Sequence, residues 1–308
     1  MIGLQTLARF ADLFAGRDDA YGSDLGACVR EPVTDEVFLR HLEGRGIGIY
    51  PLAPRTTARP GGGWDCGWWA KWGCVDIDTN DMQLAWNLQK VLAQLDIVAW
   101  VEISRSKGQH VWVHAIDWIP AKVMREALLA VCQIAQYEPR EVNPKSDGEG
   151  QPETFLSNYV RLPYRGMGAS GRQVVLDPQR GHLPMRVQEY VDKAWANRTQ
   201  PEILQAAAEL YVPAPPKQHV AIEEYGGDLE DLRKRLNGIA NTVFLGGPLE
   251  GSDRSSTLFK LVHKIKDSGL LPGEALVLLR DADRRYGKYY ERTDCEQQLA
   301  NIIRAVYG

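Results

Sequence analysis

The chain has 308 residues, 44% of them hydrophobic and 25% charged, with 36 Lys and Arg against 40 Asp and Glu, a formal charge of −4. That is the composition of an ordinary soluble globular protein, long enough for one large domain and a small one. It excludes nucleic-acid binding through a positive field of the whole molecule and leaves only a local basic patch for such a role.

The opening MIGLQTLARFADLFAGRDD carries Arg9 and Asp12 among its apolar positions, which suits an amphipathic helix and not a signal-peptide core. No membrane span is visible, so the expected location is the cytoplasm. The five cysteines (Cys28, Cys66, Cys74, Cys132, Cys295) are scattered and form no C-x-x-C pair, so neither a disulfide framework nor a ribbon-type zinc site is signalled.

In chain order, residues 1–50 look helical, with LQTLARFADLF and TDEVFLRHLEG as the periodic segments, the second starting at a Thr cap with Glu36 in its first turn. GIGIYPLAP reads as a strand. The run RTTARPGGGWDCGWWAKWG, with its Gly, Pro and four tryptophans, reads as a turn-rich loop leading into the strand CVDID. TNDMQLAWNLQKVLAQLD spaces Met82, Ala85, Leu88, Leu92 and Leu95 as one helix face, with Asp81 favouring its N-terminal dipole. IVAWVEIS and HVWVHAI, separated by RSKGQ, form a hairpin pattern. PAKVMREALLAVCQIAQ has Pro120 where a helix can begin. Short strands follow at REVN, NYVRLP and RQVVLD, then helices at RVQEYVDKAWANR and PEILQAAAEL. The expected fold is α+β: a small sheet, largely antiparallel, with the helices on one face.

Residues 211–227 are Pro-rich and aperiodic and read as a linker between a domain over 1–210 and a small all-α domain over 228–308. In that last part DLRKRLNGIANTVF, SSTLFKLVHKIKDSG, PGEALVLLRDADRRYG and TDCEQQLANIIRAVYG are helical segments, and the basic pieces DLRKRLNG, RSSTLFKLVHKIK and RDADRRYGKYYERTD together bring cations and tyrosines. Such surfaces suit nucleic-acid backbone contacts and base stacking, and equally suit solvated helix faces. No G-x-x-x-x-G-K-[ST] loop is present.

Two features carry chemistry. Asp76 and Asp78 share one face at a strand end, where like charges repel unless a proton or cation lies between them; taken alone they fit a metal site or a solvated loop. The segment EISRSKGQHVWVHA offers the hydroxyls of Ser104 and Ser106, the cations Arg105 and Lys107, Gly108 for close backbone approach, and His110 at the mouth of the next strand. Together these groups suit a triphosphate. His114, four residues on, reads as a structural side chain.

The D-x-D at a strand end followed by S-x-S-x-G-x-H-v-w resembles motifs I and II of the archaeo-eukaryotic primase superfamily, the primase–polymerases, and within it the branch of phages, plasmids and conflict or CRISPR-associated systems. LFAGRDDAYG, HLEGRGIGIYPL, NYVRLPYRG and GRQVVLDP are also similar to that branch, so the resemblance covers roughly residues 10–180. It implies an RRM-like catalytic domain with a small mixed sheet, two divalent ions (Mg²⁺ or Mn²⁺) held by Asp76, Asp78 and a third acid, and nucleotide held by residues 104–110. Glu141 in REVN is favoured for the third acid because a strand places a carboxylate rigidly, with Asp147 in PKSD as the alternate; the family usually has Asp there. Arg161 is expected to hold a phosphate or sugar, and Arg165 less so. The implied activity is primer synthesis or extension from NTP or dNTP on a single-stranded DNA template, with a helicase or other replication or CRISPR-associated proteins as partners. Rival readings are a D-x-D glycosyltransferase and an inactive replication-initiation or single-strand-binding module.

Overall fold

The computed structural model describes residues 2–58, 64–213, 221–247, 254–286 and 289–308, and the chain divides into two compact units, Met1–Pro213 and Ala214–Gly308. In the first unit the order is α1 (Leu4–Leu13), β1 (Tyr21–Ser23), β2 (Cys28–Val29), α2 (Asp35–Leu42), β3 (Ile47–Ile49), β4 (Ala53–Ala58), β5 (Trp64–Ile77), α3 (Met82–Gln94), β6 (Ala99–Ile103), β7 (Gln109–Pro120), α4 (Ala121–Ile134), β8 (Glu141–Asn143), β9 (Val160–Arg161), β10 (Val174–Asp177), β11 (Leu183–Pro184), α5 (Val187–Ala196) and α6 (Pro201–Ala208).

The large sheet runs β11-β10-β6-β7-β5-β4, with β8 also paired to β5; a small sheet runs β2-β1-β3-β9. Every pairing between these strands is antiparallel, and one isolated parallel bridge joins Ala115 to Thr199. The fold is therefore α+β.

Side chains alternate across the large sheet because successive strand residues face opposite sides. Val75, Ile77, Val101, Val111, Val113 and Val142 pack one face against Leu88 and Leu92 of α3, Met124 and Leu128 of α4 and Leu204 of α6. Trp72, Cys74, Trp100 and Trp112 pack the other against Phe10 of α1, Phe14, Tyr190 of α5 and residues of the small sheet such as Ile49 and Val160. Helices thus cover both faces and not one as expected, because α1 and α5 bury the Trp72–Trp112 side that α3 and α4 leave open. α3 begins where Asp81 accepts a hydrogen bond from the Leu84 N–H at 3.1 Å; Thr34 occupies the equivalent place before α2 but its side chain makes no capping bond.

Three local expectations change. The stretch 55–73, expected as a loop, is mostly strand: β4 and β5 pair from Ala53↔Trp69 onward, and β5 pairs β7 on its other edge. Its aromatic residues suit a pleated, half-buried surface, and pairing of residues 64–69 with β4 and of Trp69 onward with β7 holds Gly67 and Gly73 in the ladder. The Pro–Gly part, 59–63, lies outside the described residues. GIGIYPLAP is not one strand: β3 joins the small sheet and β4 the large one. The first 50 residues also hold the short β1 and β2, where a helical region was expected.

The second unit holds α7 (Leu229–Arg235), α8 (Gly238–Gly246), α9 (Arg254–Asp267), α10 (Pro272–Tyr286) and α11 (Cys295–Tyr307) around Leu232, Phe244, Leu261, Ile265, Leu279 and Ile303. DLRKRLNGIANTVF is two helices because Asn237 starts a new one, its side chain accepting from the Ala240 N–H at 2.8 Å. Of the expected linker, 214–220 lies outside the described residues, while Ile222 and Tyr225 pack on this helical core. Among the described residues no helix is long and apolar enough to cross a membrane.

Candidate active site

The second core of the first unit runs out at one end of the large sheet, and the residues that continue its pattern turn polar there. Along β5 that face carries Trp72, Cys74 and then Asp76. Register sets Asp76 opposite His110 on β7 and opposite Glu141 on β8, and His110 opposite Glu102 on β6. Directly opposed residues share a face, so Glu141, Asp76, His110 and Glu102 form one row across four strands. The row behind it is Asn143, Cys74, Trp112 and Trp100.

His110 is buried between two acids: its Nδ1 lies 2.9 Å from Glu102 Oε2 and its Nε2 lies 3.6 Å from Asp76 Oδ1. Burial by itself lowers the imidazole pKa, but the Glu102 charge and hydrogen bond, with Asp76 and Asp78 adding, reverse this and the net direction is up. Burial raises the Asp76 carboxyl above its ordinary range; His110 opposes the rise, and the like charges of Asp78, Glu141 and Glu102 add to it. Asp78 lies just past the end of β5 and pairs with Arg140 at 2.6 Å. Glu141 accepts from Asn158 at 3.0 Å and lies 3.4 Å from Lys145.

The turn between β6 and β7 closes on the same place. The Ser104 N–H donates to the Gly108 carbonyl at 3.0 Å, and a β-carbon on Gly108 would come within 2.1 Å of the Ile77 carbonyl oxygen. The turn is thereby laid against the end of β5 beside the acids. Lys107 forms no ion pair among the described residues, whereas Arg105 is held by Asp24 at 2.8 Å, and Arg172 Nε donates to the Ser104 carbonyl at 3.0 Å.

A cleft of about 210 Å³ joins these parts: Asp76, Asp78, Ser104, Arg105, Ser106, Lys107, Gly108, His110, Glu141 and Arg161 all line it. Asp147 does not; its carboxylate accepts from the Glu149 N–H at 3.1 Å and lines a different cavity beside Trp68. Arg165 is bound to Asp24 at 2.9 Å and also lies elsewhere. His114 is structural, with Nδ1 on the Leu13 carbonyl and Nε2 on the Tyr190 hydroxyl.

Lining residues that the pattern did not single out are Asn143, Tyr159 and Gln173. Tyr159 seats its ring over Gly22 and Gly48, where a β-carbon would come within 2.5 and 2.3 Å of the ring, a relation between distant positions with no local signal. Glu102 had one: a lone acid two residues from Trp100 in an otherwise apolar run.

Two buried polar atoms in the cleft residues have no hydrogen-bond partner, Asn143 Oδ1 and Arg161 Nε. Buried groups of that kind ordinarily find one, so the cleft is built for a polar occupant. Among the described residues no three His, Cys, Asp or Glu side chains already stand in metal-ligating geometry. The donors themselves are hard carboxylate oxygens, and Asp76, Asp78 and Glu141 line the cleft together, so this donor set fits Mg²⁺ or Mn²⁺.

Remote structural likenesses include the "Polymerase Domain from Mycobacterium tuberculosis Ligase D in complex with DNA" (15% identity, TM-score 0.32, 67% of this chain and 87% of that one) and the "Crystal structure of primase RepB'" (13% identity, TM-score 0.27, 99% and 94%). Among curated proteins none matches the sequence. The family model described as "TOTE conflict system, Archaeo-Eukaryotic Primase domain" matches residues 22–175, half of the chain and the part that holds the whole cleft. The chain belongs to that family of archaeo-eukaryotic primase domains.

Proposed function

We propose that the chain is a template-directed nucleotidyltransferase, a primase–polymerase that makes or extends primers on single-stranded DNA from NTP or dNTP. Membership of the primase family supports nucleotidyl transfer as the class of chemistry. The observation that carries the finer reading is the convergence, in one cleft, of Asp76, Asp78 and Glu141 with the 104–108 turn, His110 and Arg161.

In this reading the 3′-hydroxyl of the primer attacks the α-phosphorus of the incoming nucleotide, a new P–O bond forms, and pyrophosphate leaves. Asp76, Asp78 and Glu141 would hold the divalent ions, which would supply charge neutralisation for the phosphates and acidify the attacking hydroxyl. Lys107 and the Ser104 and Ser106 hydroxyls bind phosphate oxygens at the turn. His110 Nε2 and Arg161 donate from the floor and side of the cleft. No protein nucleophile is required.

The test is incorporation of labelled nucleotide on single-stranded DNA, with and without an annealed primer, in Mg²⁺ and in Mn²⁺. Incorporation that requires template and metal and disappears in Asp76→Ala is the expected result. Template binding without incorporation under every condition would overturn the assignment in favour of an inactive binding module.

A further inference from the structure

A second cavity, about 360 Å³ in volume, lies among the β1–β2 hairpin, α2 and the turn that follows α2. Its floor is apolar and fixed: Val37 and Ile47 are buried in the second core, and Tyr21 packs against that core. Leu25, in the turn between β1 and β2, also lines it and is 96% exposed. The charged part of the lining is three arginines, Arg40, Arg45 and Arg165, against one acid, Asp24.

Asp24 is the wall between this cavity and the cleft. Its Oδ1 accepts from Arg105, which lines the cleft, at 2.8 Å, and its Oδ2 lies 2.9 Å from Nη2 of Arg165, which lines the second cavity. Arg165 Nε also donates to the Gly44 carbonyl at 2.8 Å, and a guanidinium with five N–H groups is not exhausted by two partners. Arg45 is exposed and forms no ion pair among the described residues. Gly46 beside it lets the turn close on the wall, since a β-carbon there would come within 2.7 Å of Asp24 Oδ1. Arg40 pairs with Glu36 at 3.1 Å, and with both side chains about half in water that pair yields readily to a stronger anion.

The occupant has to suit both parts of the lining. An inorganic phosphate engages the arginines and leaves Tyr21 and Leu25 uncovered, whereas a hydrocarbon surface does the reverse. One nucleotide of a single strand brings a phosphate and a flat base together. A strand engaged in the cleft has only the Arg105–Asp24–Arg165 wall to cross to reach this cavity. The chain's net charge of −4 leaves nucleic-acid binding to a local basic patch, and these arginines form one.

We propose that this cavity binds the single-stranded template beside the cleft, with a base against Tyr21 and Leu25 and its phosphate between Arg45 and Arg165. This rests on the template-directed reading given above and adds to it the surface that the strand follows.

The full chain is titrated with fluorescein-labelled oligo(dT) by anisotropy, and separately with dATP in Mn²⁺ without oligonucleotide. Arg45→Ala is expected to weaken oligonucleotide binding about three- to tenfold and to lower its salt slope by about one, with dATP binding within about twofold of wild type. Lys90→Ala, which removes an exposed cation elsewhere, is the control and is expected to change neither. Ultraviolet crosslinking of a strand carrying 5-iodouracil, mapped by mass spectrometry, is expected to mark Tyr21. Oligonucleotide binding by Arg45→Ala equal to that of Lys90→Ala, or a crosslink map without Tyr21, overturns the proposal and leaves the cleft assignment standing. An equal loss of dATP binding in Arg45→Ala also overturns it, because the residue then belongs to the nucleotide site. A wild type that takes dATP in Mn²⁺ and binds no oligonucleotide overturns the template-directed reading as well.

Discussion

Gly108 lies so near Ile77 that a single methyl group on it would meet the Ile77 carbonyl oxygen at 2.1 Å. This contact is what holds the polar turn against the strand that carries the acids. Backbone on both sides cannot yield easily, so Gly108→Ala is expected to lift the turn from the end of β5 and to weaken nucleotide binding at least about tenfold, at a stability cost of about 1–3 kcal/mol. Gly3→Ala, which meets nothing within 4 Å, is the control. Nucleotide titration and thermal melts of both variants check this.

Asp76 has a folded pKa above its unfolded value. In the window just above the unfolded value the native state binds more protons than the unfolded one, so stability declines as pH rises there, and the ionised group remains a net burden at neutral pH without a cation. Asp76→Asn is therefore expected to melt at or above the wild-type temperature in chelator. In Mn²⁺ the order reverses, since ligand that binds only the native state raises wild-type stability and not that of the variant. Melting curves with EDTA and with Mn²⁺ give the answer; a variant that gains as much from Mn²⁺ as wild type removes Asp76 from the ligand set.

Arg105 is turned away from full use in the cleft by its pair with Asp24 at 2.8 Å, and Asp24 also engages Arg165. A pair this exposed contributes about 0.2–1 kcal/mol. Asp24→Asn both frees a cation and removes a negative charge near the phosphate turn, so nucleotide affinity is expected to rise by roughly two- to fivefold, with a steeper dependence on salt. An affinity that falls instead means that Asp24 orients Arg105 for binding.

His41 and His114 are buried neutral. Burial is the largest cause, and it pushes them down to about 4 and about 3. His41 is held between the Pro163 carbonyl and the Ile47 N–H, so both ring nitrogens are committed in one tautomer. In the unfolded chain each takes a proton below pH ~6.5, so stability is intact above that pH and is lost as pH falls toward the folded values, by up to about 1.4 kcal/mol per pH unit for each ring. All nine tryptophans lie in the first unit. Urea unfolding followed by tryptophan fluorescence at pH 7.5, 6 and 5 therefore reads this unit alone, and a flat profile would show that these rings are not neutral in the fold.

The cations of the helical unit are mostly committed to local acids, as in Arg233–Glu230, Lys234–Asp231, Lys264–Asp267, Arg280–Glu296 and Arg285–Asp281. Starting a chain requires holding template and first nucleotide without a duplex, which demands contacts that extension does not. A chain ending at Pro213 keeps the whole cleft. It is expected to extend primed templates and to make few primers of its own, with a shallower salt dependence of template binding. Equal initiation by the shortened and full chains assigns the helical unit another task.

What the sequence determined by itself were the features written in consecutive residues: the two long helices with a 3.6-residue period, the hairpin, the paired acids at a strand end and the phosphate-suited turn beside them. Local backbone geometry is enough to place such groups relative to their immediate neighbours. The tertiary structure decided what depends on register between distant strands. Pairing of β8 with β5 sets Glu141, and not Asp147, opposite Asp76, and pairing of β6 with β7 puts Glu102 behind His110. Pairing first with β4 and then with β7 turned the Trp-rich stretch 64–73 from an expected loop into a strand of the large sheet. Gly22 and Gly48 became informative only as the floor under Tyr159, on which they converge from positions more than a hundred residues away. A shift of one residue in any of these registers would send each side chain to the opposite face; alignment of whole strands, to which every buried neighbour contributes, is a property no short window of the chain contains.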